Sequence, residues 1–130
     1  GNGDVTNTAQ ARQLLEETGC DAVMVGRGAK SNPFIFNWQD RDQVSPAELY
    51  GLMRYQLEEM KAFHPAGALL PFRKFLKAYL EPYGVPAGQL KAMLTCKEEH
   101  RLIELLESVF STQGLEDFER AAREFRTRMQ

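Results

Sequence analysis

From Ser45 to the end of the chain, apolar residues return every three or four positions, the spacing that gathers them on one side of an α-helix. Leu49, Leu52, Met53, Leu57, Met60 and Phe63 form the first such stripe. Ser45-Pro46-Ala47-Glu48 ahead of it is a helix start, with Ser as the cap, Pro at the first helical position and Glu placed to close a capping box. His64-Pro65-Ala66-Gly67 ends that helix. Phe72, Phe75, Leu76, Tyr79 and Leu80 mark a second, stopped by Pro82 and Gly84. A shorter helix is predicted from Pro86 to Leu94, and Thr95-Cys96-Lys97-Glu98 reads as another capping box before Leu102, Ile103, Leu105, Leu106, Val109 and Phe110. After Gly114, Phe118, Ala121, Ala122 and Phe125 define a last helix. Helices of this length with short connections predict a small antiparallel bundle over residues 45–130.

The first 44 residues follow another pattern. A helix is predicted between Asp4 and Gly19, with Thr6 or Thr8 as its cap, Ala11, Leu14 and Leu15 as its stripe, and Gly19 at the left-handed terminal position. Asp21-Ala22-Val23-Met24-Val25 is an almost wholly apolar run, as in a parallel strand buried on both faces. Gly1-Asn2-Gly3-Asp4 and Gly26-Arg27-Gly28-Ala29 are glycine-rich turns one strand–helix unit apart, where backbone N–H groups can surround a phosphate. Paired turns of this kind form the phosphate grip of a (β/α)8 TIM barrel, after strands seven and eight. A full barrel takes about 250 residues, and this chain has 130. The expected architecture is therefore mostly α: residues 1–37 as the C-terminal βα remnant of a TIM barrel, 38–44 as a linker, and 45–130 as the helical domain. The missing initiating Met points the same way, to a truncated or processed start.

Composition narrows the function classes. The net charge of -2 and pI near 5.7 give no global basic signal, so any RNA-binding surface is a local patch. Cys20 and Cys96 share no CxxC spacing and read as reduced thiols of a cytoplasmic protein, Cys20 in the core and Cys96 on the surface. No stretch approaches the roughly 20 apolar residues of a membrane span. His64 and His100 have no partner at metal-ligand spacing, so no metal site is expected.

Two constellations could carry chemistry. A phosphate dianion needs converging N–H donors and often a guanidinium. Gly26 and Gly28 would supply donors, Arg27 the bidentate charge, and Asn2 and Gly3 the opposite side; the bland reading is a pair of simple turns. On the second predicted bundle helix, Arg73, Lys74 and Lys77 share one side, opposite Phe72, Phe75, Leu76 and Tyr79. Such a strip can neutralise RNA phosphates or be an ordinary solvated face. Arg120, Arg123, Arg126 and Arg128 are interleaved with carboxylates and read as solvated.

Gly1-Asn2-Gly3-Asp4, then Thr18-Gly19-Cys20-Asp21-Ala22-Val23-Met24-Val25-Gly26-Arg27-Gly28-Ala29, then Asn32-Pro33-Phe34-Ile35-Phe36, resembles the end of the flavin barrel of the tRNA-dihydrouridine synthase family. Residues 45–130 resemble that family's helical domain more loosely, with Phe72-Arg73-Lys74-Phe75-Leu76-Lys77-Ala78-Tyr79 where the family tends to place a basic-aromatic helix. The resemblance implies that Asn2, Gly3 and Asp4 line an FMN site, that Gly26 and Arg27 hold its phosphate, and that Arg73, Lys74 and Lys77 meet tRNA. It also implies NADPH as reductant, hydride transfer from FMN to the C5=C6 bond of a uridine, and a protonating cysteine from an earlier barrel loop. Neither Cys20 nor Cys96 matches that cysteine, so no catalytic residue is assigned and the chain alone is expected to be inactive. An orphaned barrel strand further implies a route to self-association. Two alternatives stay open at this point: another FMN barrel acting on a small molecule, and a non-catalytic helical binding module.

Overall fold

The structure, a computed structural model, describes residues 4–130, and the chain divides between Val44 and Ser45 into two compact units. In the first, α1 spans Thr8–Thr18 and ends on Gly19, whose φ of 64° is the left-handed conformation that its sequence position predicts. Its cap is neither Thr6 nor Thr8. Asn7 accepts from the Gln10 N–H at 2.8 Å, while Thr8 is engaged elsewhere: its N–H and hydroxyl donate to the two carboxylate oxygens of Asp40, at 2.8 and 3.0 Å. The segment 38–44 thus lies within the first unit, fastened to α1 by Asp40.

The short helix α2, Arg27–Ser31, is followed by a 3-10 turn at Pro33–Asn37. Asn32 between them is buried, and its amide is satisfied on both sides. Its Oδ1 accepts from the Phe34 N–H at 3.2 Å and its Nδ2 donates to the Gln39 carbonyl at 2.9 Å. Val5, Ala11 and Ile35 make the small core, joined by Leu14, Val23 and Val25.

The expected strand is not observed. Residues 21–25 form no ladder, and no strand occurs among the described residues. Val23 and Val25 turn inward while Met24 is 70% exposed, so the run keeps the alternation of an extended segment and buries one face only. A strand is completed by the backbone groups of a neighbour, and no other described segment pairs with this one. The mostly helical class holds; the βα remnant is not seen.

The second unit is wholly helical. Its elements are α3 (Pro46–Phe63), α4 (Leu69–Leu80), α5 (Ala87–Leu94), α6 (Glu99–Thr112) and α7 (Phe118–Met129). Ser45 caps α3 by accepting from the Glu48 N–H at 3.1 Å. Asp117 caps α7 by accepting from the Arg120 N–H at 3.0 Å. Gly84 and Gly114 close turns at φ 61° and 92°. Thr95 does not open a capping box, because it terminates α5, with its hydroxyl on the Lys91 carbonyl at 2.8 Å; α6 begins only at Glu99.

α3 packs against α4 and α7, α4 against α5, and α5 against α6. Leu49, Tyr50, Met53, Leu57, Phe72, Leu76, Leu80, Met93, Leu102, Leu106 and Phe110 fill the centre. The approach of α7 to α3 depends on Gly51. A Cβ there would sit 2.5 Å from Phe125 Cβ and 2.9 Å from the Ala121 carbonyl oxygen, closer than packed atoms allow. Two tyrosines carry polar atoms inward. The Tyr50 hydroxyl accepts from Arg54 Nη1 at 2.7 Å, and the Tyr79 hydroxyl donates to Gln56 Oε1 at 2.7 Å. Burial pushes both phenols up to about 12.

Candidate functional site

In the first unit, a cleft of about 330 Å³ is lined by Asp4, Val5, Thr6, Gly26, Arg27 and Gly28. The chain after the first predicted turn and the second turn itself therefore border one space. Gly28 makes this approach possible: a Cβ at that position would fall 2.3 Å from the Val5 carbonyl oxygen. At Gly26 an added Cβ would meet nothing within 4 Å, so the cleft is open on that side. Arg27 is exposed and ion-paired with the Asp4 carboxylate. Asn2 and Gly3 lie outside the described residues.

Arg27 gives the cleft a guanidinium of the kind that meets a phosphate, whereas the space beside Gly28 is already held by the Val5 carbonyl oxygen, an acceptor. Asp4 is the opposing element, since its carboxylate occupies the guanidinium that an incoming anion would need. Sequence reasoning did not assign Val5 and Thr6 to this cleft. The signal for Val5 lies in the fold rather than in its own identity, because it meets Gly28 through its backbone.

Cys20, expected in the core, is half-buried. Thr18 Oγ1 lies 2.9 Å from its sulfur, and that hydrogen bond lowers the thiol pKa. Cys96 is also half-buried and donates to the Glu98 carbonyl at 3.2 Å. Among the described residues no group of His, Cys, Asp or Glu could hold a metal ion. No helix of the described residues is long and apolar enough to cross a membrane.

In the second unit, the three basic residues of α4 differ from one another. Lys74 and Lys77 are exposed. Arg73 is half-buried and gives Nη1 to the Cys96 carbonyl at 2.7 Å, which ties the α5–α6 connection to α4. Leu70, Lys74 and Lys77 fall at helical spacing on one outward stripe, and Leu70 is 61% exposed. Phe72, Leu76 and Tyr79 take the opposite, buried side.

Residues 1–113 match the family model described as Dihydrouridine synthase (Dus). The chain belongs to the dihydrouridine synthase family. Among curated proteins of that family it is 32% identical over 119 residues to tRNA-dihydrouridine synthase B of Escherichia coli strain K12, covering 84% of this chain and 37% of that protein. The enzymes of the same name from Proteus vulgaris and Klebsiella pneumoniae are each 31% identical over 119 residues, covering 84% of this chain and 36% and 37% of theirs. The chain thus spans little more than a third of the length of the relatives it matches. No solved structure gives a significant match.

Proposed function

We propose that this chain serves as the C-terminal portion of a flavin-dependent tRNA-dihydrouridine synthase. Residues 1–37 would supply part of the FMN phosphate site, 38–44 the link, and 45–130 the helices that dock tRNA. Family membership carries the reading, and the Arg27 guanidinium in the cleft supports its first half. Asn2, Gly3 and Asp4 border the cofactor from one loop; Gly26 and Arg27 hold its phosphate from the next. FMN, when bound and reduced by NADPH, would supply the hydride for one carbon of the C5=C6 bond of a uridine, the proton for the other coming from a group outside this chain.

The residues of this chain bind and orient rather than move protons. Arg27 must leave Asp4 to grip the phosphate, so the carboxylate keeps an otherwise exposed guanidinium in place until the anion arrives. On α4, the strip of Arg73, Lys74 and Lys77 belongs to the tRNA-docking side, with the exposed Lys74 and Lys77 as its outer charges and Arg73 held on the Cys96 carbonyl. Neither cysteine is assigned a catalytic part, and the chain alone is inactive in this reading. The site of action is the cytoplasm, and the one-sided packing of residues 21–25 supports self-association when no strand covers the other face.

Filter binding of the chain to an unmodified tRNA transcript over a salt series tests the docking half. Affinity should fall steeply with salt, and Lys74→Glu with Lys77→Glu should abolish binding. Salt-independent binding, or parent-like binding by the double variant, overturns it.

A further inference from the structure

Charge in the helical unit is sorted along the chain. Residues 69–97 hold Arg73, Lys74, Lys77, Lys91 and Lys97 against a single carboxylate, Glu81, a net +4. Residues 45–68 carry a net -1, and residues 98–130 a net -3, with five arginines against eight carboxylates. The fold keeps the basic segment together. α4 packs on α5, and Lys77 and Leu90 line one groove at the α4–α5 seam, so Lys91 follows directly beyond it. The Arg73 bond to the Cys96 carbonyl draws the next connection, which holds Lys97, against α4.

Lys74, Lys77, Lys91 and Lys97 are exposed, and none has a carboxylate within 4.0 Å among the described residues. Of the other cations of the unit, Arg54 pairs with Glu119 at 3.2 Å, Lys61 with Glu99 at 3.1 Å, Arg101 with Glu104 at 3.2 Å and Arg120 with Glu124 at 2.8 Å, whereas Arg123, Arg126 and Arg128 have no carboxylate within 4.0 Å among the described residues but alternate along α7 with Glu119 and Glu124. The carboxylates that follow Lys97 are themselves engaged, Glu98 facing His100 at 3.2 Å and Glu99 facing Lys61.

We infer that the RNA-docking surface is wider than α4, a four-lysine face built from α4, α5 and the α5–α6 connection, with Arg73 as the strut that presents Lys97. This rests on the tRNA-docking reading above and names new contacts for it, Lys91 and Lys97. Its ligand is the phosphodiester backbone of a folded RNA. Ammonium groups are point charges that suit phosphates, and no aromatic side chain shares the Leu70–Lys74–Lys77 stripe to stack on a base.

The test is binding of the full chain to an unmodified tRNA transcript over a salt series, with thermal unfolding of every variant. Each phosphate-bound lysine adds about one unit to the slope of log K against log salt. Lys91→Gln with Lys97→Gln should therefore flatten the slope by about 2 while leaving the melting temperature unchanged. Arg123→Gln with Arg126→Gln on α7 should leave the slope as it is. Arg73→Gln should lower both melting temperature and affinity, and adding Lys97→Gln to it should cost little further binding, the coupling expected of a strut. If Lys91→Gln with Lys97→Gln keeps the parent slope while Lys74→Gln with Lys77→Gln loses it, the wider face is wrong and docking through α4 stands. If the parent chain does not bind the transcript, both fall. If Arg73→Gln and Lys97→Gln act independently on binding, Arg73 is itself a ligand and the strut is wrong.

Discussion

Replacing Gly51 by alanine sets two opposing terms against each other. Glycine inside a helix is less favourable than alanine by about 0.5–1 kcal/mol, so Gly51→Ala gains that much in α3. The new methyl would stand 2.5 Å from Phe125 Cβ and 2.9 Å from the Ala121 carbonyl oxygen. Packed carbons sit at about 3.5–4.0 Å, so α7 must retreat by roughly 1 Å. Rotating a side chain does not relieve the contact, because one of the atoms met is backbone and the other a Cβ. A retreat of that size loosens the burial of Ala121, Ala122 and Phe125 together. Overpacking of this kind costs about 1–3 kcal/mol, and the upper half of that range applies where backbone is struck. The net change is a loss of about 1–2 kcal/mol, a fall in melting temperature on the order of 5–10 °C. Gly88→Ala in α5 is the internal control, since its added methyl meets nothing within 4 Å. It should raise the melting temperature by a few degrees. Both proteins are followed by circular dichroism at the helix band. A rise in both variants would refute the close α3–α7 approach.

The two buried phenols make alkaline stability directional. Tyr50 and Tyr79 are held near 12 in the folded chain against about 10 in an unfolded one. Their contribution is complete below pH 10 and is lost as pH rises through 12. Absorbance titration should show Tyr50 and Tyr79, out of four tyrosines, ionising late and together with loss of helix; independent ionisation near pH 10 would count against the burial. Asp40→Ala removes both acceptors of Thr8 and leaves its half-buried N–H without them. The expected cost is about 1–3 kcal/mol, read as faster amide exchange in α1 with α3–α7 unaffected.

The bundle was readable because its signals are local. Ser45-Pro46 starts α3, and Gly19, Gly84 and Gly114 stop elements through conformations that β-carbons resist. The cap misreadings share one cause, another residue that takes a group the capping pattern had assigned. Thr8 looks like a cap until Asp40, 32 positions away, takes its hydroxyl. Thr95 looks like the start of α6, but its hydroxyl turns back to Lys91 and the helix begins four residues later. Arg73 shares a helix side with Lys74 and Lys77, but its bond to the Cys96 carbonyl, 23 positions away, could not be read from that spacing. The strand at 21–25 failed for a related reason, since pairing is a property of two segments and the run specifies only one. In the candidate cleft, the glycines and Arg27 were legible from their turn, whereas the Asp4 counter-ion and the Val5 approach appear only in three dimensions.

The sorting of charge within residues 45–130 has a consequence for encounter as well as for grip. Formal charges over that unit cancel, so its net charge gives no pull toward a distant polyanion, and in the docking reading any attraction comes from the +4 segment that holds α4 and α5. In the field gradient around a nucleic acid such a body is turned before it is drawn in, and it arrives already oriented. In that reading, selectivity for the approach direction comes from the arrangement of charge rather than from its amount.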